Sequence, residues 1–114
     1  MKRLSAGLFC LMVFSSPLFA AEAPSHQNGS SAQESYHSGM HKMNQDMMAG
    51  MANADPDIAF AEGMTAHHQG AIDMAKTELK YGKDPAMRKL AEEIIKAQQP
   101  EIDRMQAWLA EKRQ

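Results

Sequence analysis

Hydrophobic and polar positions along the chain fall into three helical rhythms separated by short breaks. Tyr36, Met40, Met43, Met47 and Met51 recur at spacings of four, three, four and four, the period of one face of an α-helix. Gly50 and Asn53-Ala54 mark the end of this first helix. Asp55-Pro56 then supplies a capping carboxylate and a first-turn proline. Phe60, Met64, His67, Ala71, Met74 and then Glu78 or Leu79 continue the rhythm to Tyr81-Gly82, where a glycine tolerant of left-handed backbone is expected to stop it. Asp84-Pro85 repeats the start signal. The third helix carries Met87, Leu90, Ala91, Ile94 and Ile95, then Ile102, Met105, Trp108 and Leu109. A kink or short break is expected near Pro100, because an interior proline lacks the amide donor and clashes with the preceding turn. No alternating run of β-branched residues occurs. The pattern predicts an all-α fold, a small antiparallel bundle of three helices joined by short connections.

Ahead of these helices the pattern is of another kind. Lys2 and Arg3 precede an apolar run from Leu4 to Phe14, followed by Ser15-Ser16-Pro17 and small residues, with the best cleavage site after Leu18-Phe19-Ala20. Residues 1–20 therefore read as a secretory signal peptide, which predicts a periplasmic or secreted protein. The apolar run is well short of the roughly 20 residues that span a bilayer, so no membrane span is expected once it is removed. Residues 21–35 are rich in Ser, Ala, Gln, Asn, Gly and Pro without helical or strand period, and read as a disordered tether. Residues 36–114 form the helical domain.

Composition sharpens this. The chain has 114 residues with eleven methionines and five histidines against only 6% aromatic residues, so its bias lies in sulfur and imidazole. Without residues 1–20 it keeps nine methionines and no cysteine, with ten Lys and Arg against fourteen Asp and Glu. An acidic balance offers no basic field for nucleic acid. A thiol-free chain suits an oxidising compartment and has no disulfide to support a small core.

The chemistry emerges when the helices are folded back on each other. Equal distances from a turn lie side by side in an antiparallel pair. With the first turn centred near residues 53 and 54, Met43 is expected level with Met64 and Met40 with His67. With the second near residues 82 and 83, Met64 falls level with Glu101 or Ile102 and His67 with Gln98 or Gln99, while Met105 lies one turn further along. Met64, His67 and His68 are neighbours at i, i+3 and i+4. One layer is thus expected to gather Met40, His41, Met43, Met64, His67, His68 and Met105, with His67 turned inward and His68 flanking it. Thioether sulfur is a neutral, polarisable donor that suits Cu(I), and imidazole serves both Cu(I) and Cu(II). Thioethers also need no deprotonation to bind. Against this stands plain packing, since methionines at helical spacing commonly fill cores. Met74 and Met87 read as core, and His26 and His37 as solvent-exposed, although His37, Met40 and His41 repeat the i, i+3, i+4 geometry as a second, weaker site.

Three segments carry a resemblance. Asp57-x-x-Phe60-x-x-x-Met64-x-x-His67-His68-x-x-Ala71-x-x-Met74-Ala75 on the second helix, then Leu90-Ala91-x-x-Ile94-x-x-x-Gln98 and Glu101-Ile102-x-x-Met105-x-x-Trp108-Leu109, resemble a domain-of-unknown-function family of ferritin-like helical copper-binding proteins that includes periplasmic CopM. The resemblance implies a ferritin-like bundle, export, binding of Cu(I) and Ag(I), and metal-associated roles for Met64, His67, His68 and Met105. An enzyme is not expected. A di-iron site needs Glu-x-x-His pairs, whereas Glu62 lies five residues before His67 and Glu92-Glu93 has no histidine downstream. The expected function is export-dependent copper binding for tolerance or trafficking, with the copper ion, a copy of itself or a periplasmic metal acceptor as partner. The alternative is a metal-free helical interaction or stress protein that uses a Met-rich apolar surface.

Overall fold

The computed structural model describes residues 27–113, with side chains from Ser31 onward. Residues 1–20, read as a signal peptide, and His26 lie outside the described residues. Three helices follow in order: α1 (Gln27–Met51), α2 (Pro56–Tyr81) and α3 (Pro85–Lys112). The fold is all-α, as the periodicity predicts.

The two aspartate-proline pairs act as the sequence suggests. The Asp55 carboxylate accepts from the backbone N–H of Asp57 at 2.9 Å and of Ile58 at 3.3 Å. The Asp84 carboxylate accepts from Ala86 and Met87, both at 3.0 Å. Each satisfies first-turn donors that no helical carbonyl can reach. Gly82 ends α2 differently from the expectation. Its φ is −71°, so the left-handed option goes unused, and its N–H instead donates to the Glu78 carbonyl. The Arg88 guanidinium then reaches back to the Leu79 and Gly82 carbonyls at 2.7 and 3.0 Å, tying the start of α3 to the end of α2.

One boundary needs correction. α1 begins at Gln27, not Tyr36, so residues 27–35 of the segment read as a tether are helical. Their small polar side chains are what long-range packing uses here: the Ser35 hydroxyl hydrogen-bonds that of Thr77 on α2 at 2.7 Å. Composition carries no sign of such a contact. At the other end, α3 runs through Pro100 without a break. Pro100 is exposed, and so is Lys96, whose carbonyl loses its usual helical donor.

α1 and α3 each pack antiparallel on α2, and no Cα of one comes within 8 Å of the other among the described residues. The seams lie on opposite sides of α2. Toward α1 it presents Gly63, Gly70 and Thr77. Toward α3 the buried positions Ala61, His68, Ile72 and Ala75 meet Ala91, Ile102 and Leu109. The three helices therefore lie abreast in one layer. Glycines set the closeness of the first seam: a Cβ on Gly50 would stand 2.9 Å from the Gly63 nitrogen, and one on Gly70 would stand 2.2 Å from the Met43 sulfur.

The two faces of this layer differ. One carries Glu62, Thr65, Gln69 and Arg113 around a groove, with the Arg113–Glu62 ion pair at 3.0 Å bridging α3 to α2. The other carries the apolar stripe of α2, Phe60, Met64, Ala71 and Met74.

Candidate metal centre

The seams fix which methionines and histidines can meet. Along α1–α2 the observed contacts pair Gly50 with Glu62 and Gly63, Met43 with Gly70, Gly39 with Asp73 and Ser35 with Thr77. Met43 therefore stands opposite Gly70 instead of Met64, a slip of six residues or about 9 Å along the axis. The cause is the connection. Residues 52–55 continue past the end of α1, with Asn53 Oδ1 accepting from the Asp55 N–H at 2.9 Å, so the first turn of α2 overhangs α1. Counting back from Met43, Met47 comes level with Ala66 and Met48 with Thr65, so these two α1 methionines are nearest in height to His67 and Met64 respectively.

The expected seven-residue layer consequently does not form. Met40, 40% exposed, sits at the height of Asp73, and His41 is exposed. Met43 packs against the α1–α2 seam. Neither these three nor His37 shares a cleft with Met64 or Met105.

On the α3 side the slip helps. His68 on α2 reaches Glu101 on α3, which moves Met105 level with Met64 instead of one turn beyond it. Met64, His68, Glu101, Arg104, Met105 and Phe60 line one cleft of about 190 Å³. It adjoins a second of about 420 Å³, where Phe60, Met105 and Arg104 are joined by Asp57, Ala61 and Trp108. Three of the seven sequence candidates thus share a site: Met64, His68 and Met105.

The histidine roles are reversed from the expectation. His68 is buried, with 8% of its surface exposed, whereas His67 is exposed and meets it edge-on with ring centroids 6.1 Å apart. The expectation followed the apolar stripe Phe60-Met64-His67-Ala71-Met74. That stripe is the open face of the layer, and the buried seam is the smaller-residue row containing His68. Burial leaves His68 in an unusual state. Its Nε2 lies 2.5 Å from Glu101 Oε2, while its Nδ1 is buried without a hydrogen-bond partner among the described residues. The Gln98 side-chain oxygen is also buried without a partner among the described residues. Glu101 keeps 64% of its side chain in solvent, so it can turn away from His68 at little packing cost.

A family model described as "Domain of unknown function (DUF305)" matches residues 14–109. The chain belongs to this family. The DUF305 match takes in α1 and α2 entirely after Gln27 and α3 as far as Leu109, and so contains the whole Met64–His68–Met105 cleft. A similar protein is "Uncharacterized protein L153" of Acanthamoeba polyphaga mimivirus, 40% identical over 57 residues, or 50% of this chain and 38% of that protein. The chain therefore spans well under half of that relative's length.

Glu101 lines the cleft although the sequence does not single it out as a partner of His68. The expected levels put this carboxylate beside Met64, and only the four-residue slip at the second turn sets it against His68. Among the described residues no three His, Cys, Asp or Glu side chains cluster in metal-holding geometry. The donors of the cleft are two thioethers and one imidazole, beside a carboxylate.

Proposed function

We propose that this protein is an exported, non-catalytic copper-binding protein that holds Cu(I), and Ag(I) in its place, through methionine and histidine in copper tolerance or trafficking. The observation that carries the reading is the convergence of Met64 and Met105, from two helices, on the cleft that His68 lines. Two thioethers and an imidazole form a soft, largely neutral donor set, which favours a monovalent soft ion over Zn(II), Ca(II) or Mg(II). His68 takes part by releasing Glu101, whose exposed carboxylate is readily solvated; His67, exposed and edge-on to His68, is a second imidazole nearby. The signal-peptide pattern of residues 1–20 and the absence of any other cysteine than Cys10 support a thioether site in an oxidising compartment. The resemblance of the Met64-x-x-His67-His68 and Glu101-Ile102-x-x-Met105 segments to periplasmic copper-binding proteins supports the same reading.

Anaerobic titration with Cu(I) against a chromophoric competitor tests this. The expected result is saturable binding, competed by Ag(I) and weakly or not at all by Zn(II). Binding of Zn(II) as tightly as Cu(I), or no Cu(I) binding, overturns it. The metal-free interaction reading has one observation in its favour, the exposed apolar face of the layer, and is the reading left standing if no metal binds.

A further inference from the structure

We propose that the Met-rich face of the helical layer is the contact surface between two copies of this chain, a contact that forms without metal. Tyr36, Met74, Met87 and Leu90, from all three helices, border one apolar groove over α2. Phe60, 65% exposed, continues the same α2 stripe past Met64 to the Trp108 cleft. The opposite face is lined by charged and amide side chains, including Asp46, Gln69 and Arg113 in one groove and Lys42, Asp73 and Lys80 in another. The Met-rich side is apolar along the α2 stripe, with Asp57, Glu78, Glu101 and Arg104 bordering it, while the opposite grooves are lined mainly by charged and amide side chains.

A single layer of three helices cannot enclose a core by itself, because each helix must bury its apolar stripe against a second layer. The buried apolar residues of this chain are Ala61, Ile72, Ala75, Ala91, Ile102 and Leu109, half of them alanine, and Ile72 is the only large side chain fully buried among the described residues. For a domain of this size that is a thin core. A second copy turned through a two-fold axis supplies the missing layer with the same surface, which needs no complementary partner. The available area fits. Helices of 25 to 28 residues are about 40 Å long. Three abreast at spacings of about 8–10 Å give a face of roughly 800 Å², the area each partner contributes to a stable interface, about 800 Å².

Sedimentation equilibrium of the full chain, with copper chelators present throughout, tests the proposal over the micromolar range. The expected mass is twice that of the chain. Phe60→Glu and Met74→Glu change exposed residues and leave a monomer's own core intact, so they should abolish the dimer. Met48→Glu, at a position 70% exposed and off the α1 stripe, should leave it unchanged. If Phe60→Glu loses helicity as well, Met74→Glu decides: a helical monomer supports the proposal and a helical dimer overturns it. It is overturned by a monomer across the whole range, which would mean that residues 1–26 or solvent cover the face. A dimer indifferent to Phe60→Glu and Met74→Glu also overturns it, as does a monomer that binds phosphatidylcholine vesicles through this face.

Discussion

Replacing Gly50 and Gly39 by alanine should move stability in opposite directions, although both lie on α1 and both face α2. At Gly39 an added Cβ would meet only Asp73 Cβ at 3.9 Å, an ordinary contact. The substitution then contributes mainly helix propensity, about 0.8–1 kcal/mol in favour of alanine. At Gly50 the added Cβ would stand 2.8 Å from Glu62 Cβ and 2.9 Å from both the Glu62 carbonyl carbon and the Gly63 nitrogen. Backbone cannot rotate out of the way as a side chain can, so α1 must move off α2. Overpacking of this kind costs about 1–3 kcal/mol, and the propensity gain offsets less than usual because Gly50 is one residue from the end of the helix. For a domain of this size 1 kcal/mol corresponds to about 4–8 °C in Tm. Thermal unfolding followed by circular dichroism, at one fixed chain concentration, should show Gly39→Ala melting several degrees above the parent and Gly50→Ala several degrees below it. A Gly50→Ala protein as stable as the parent would refute the close α1–α2 approach. With it would fall the register that separates Met40 and Met43 from Met64.

Two further outcomes follow from the same geometry. Met64→Leu and Met105→Leu should each weaken Cu(I) binding at least tenfold while Met43→Leu leaves it unchanged, since leucine keeps the volume and removes only the sulfur; equal loss in all three would return α1 to the site. In the metal-free protein His68→Ala should lower stability by about 1–3 kcal/mol through the lost Glu101 contact and the emptied seam, whereas His67→Ala, at an exposed position, should stay within about 0.5 kcal/mol; denaturant unfolding measures both, and matching values would contradict the assignment of His68 to the interior.

The helices were legible in the sequence because their signals are local. Asp55-Pro56 and Asp84-Pro85 cap their own next turns, and no distant residue is needed to make them do so. The start of α1 was not legible, since Ser35 earns its place by meeting Thr77, forty-two residues away. Register was the largest loss. Levels were counted as if each turn reversed the chain symmetrically. Residues 52–55 instead run on along the axis, and the close approach of Gly50 and Gly70 then locks the offset. The same kind of slip at the second turn improved the site by setting Met105 beside Met64.

His67 shows a different limit, that periodicity identifies an apolar stripe without saying what covers it. On α2 two rows compete. Phe60, Met64, His67, Ala71 and Met74 form the more hydrophobic row, and Ala61, His68, Ile72 and Ala75 the smaller one. Close packing of α3 selects the small row, because helix axes approach where side chains are short, and the larger row is left on the open face. That outcome ties the two proposals together physically. Met64 and Met105 are half-buried at the edge of the α2–α3 seam, and the cleft they share opens on the face that carries Phe60. Their sulfurs are thus held by the fold without being sealed into it. An ion can enter there in a single chain, whereas a second copy laid over the same face would restrict that entry. Self-association and copper loading should therefore be linked equilibria, and any preference of the ion for one assembly must appear equally as a change in dimer affinity when the ion is bound.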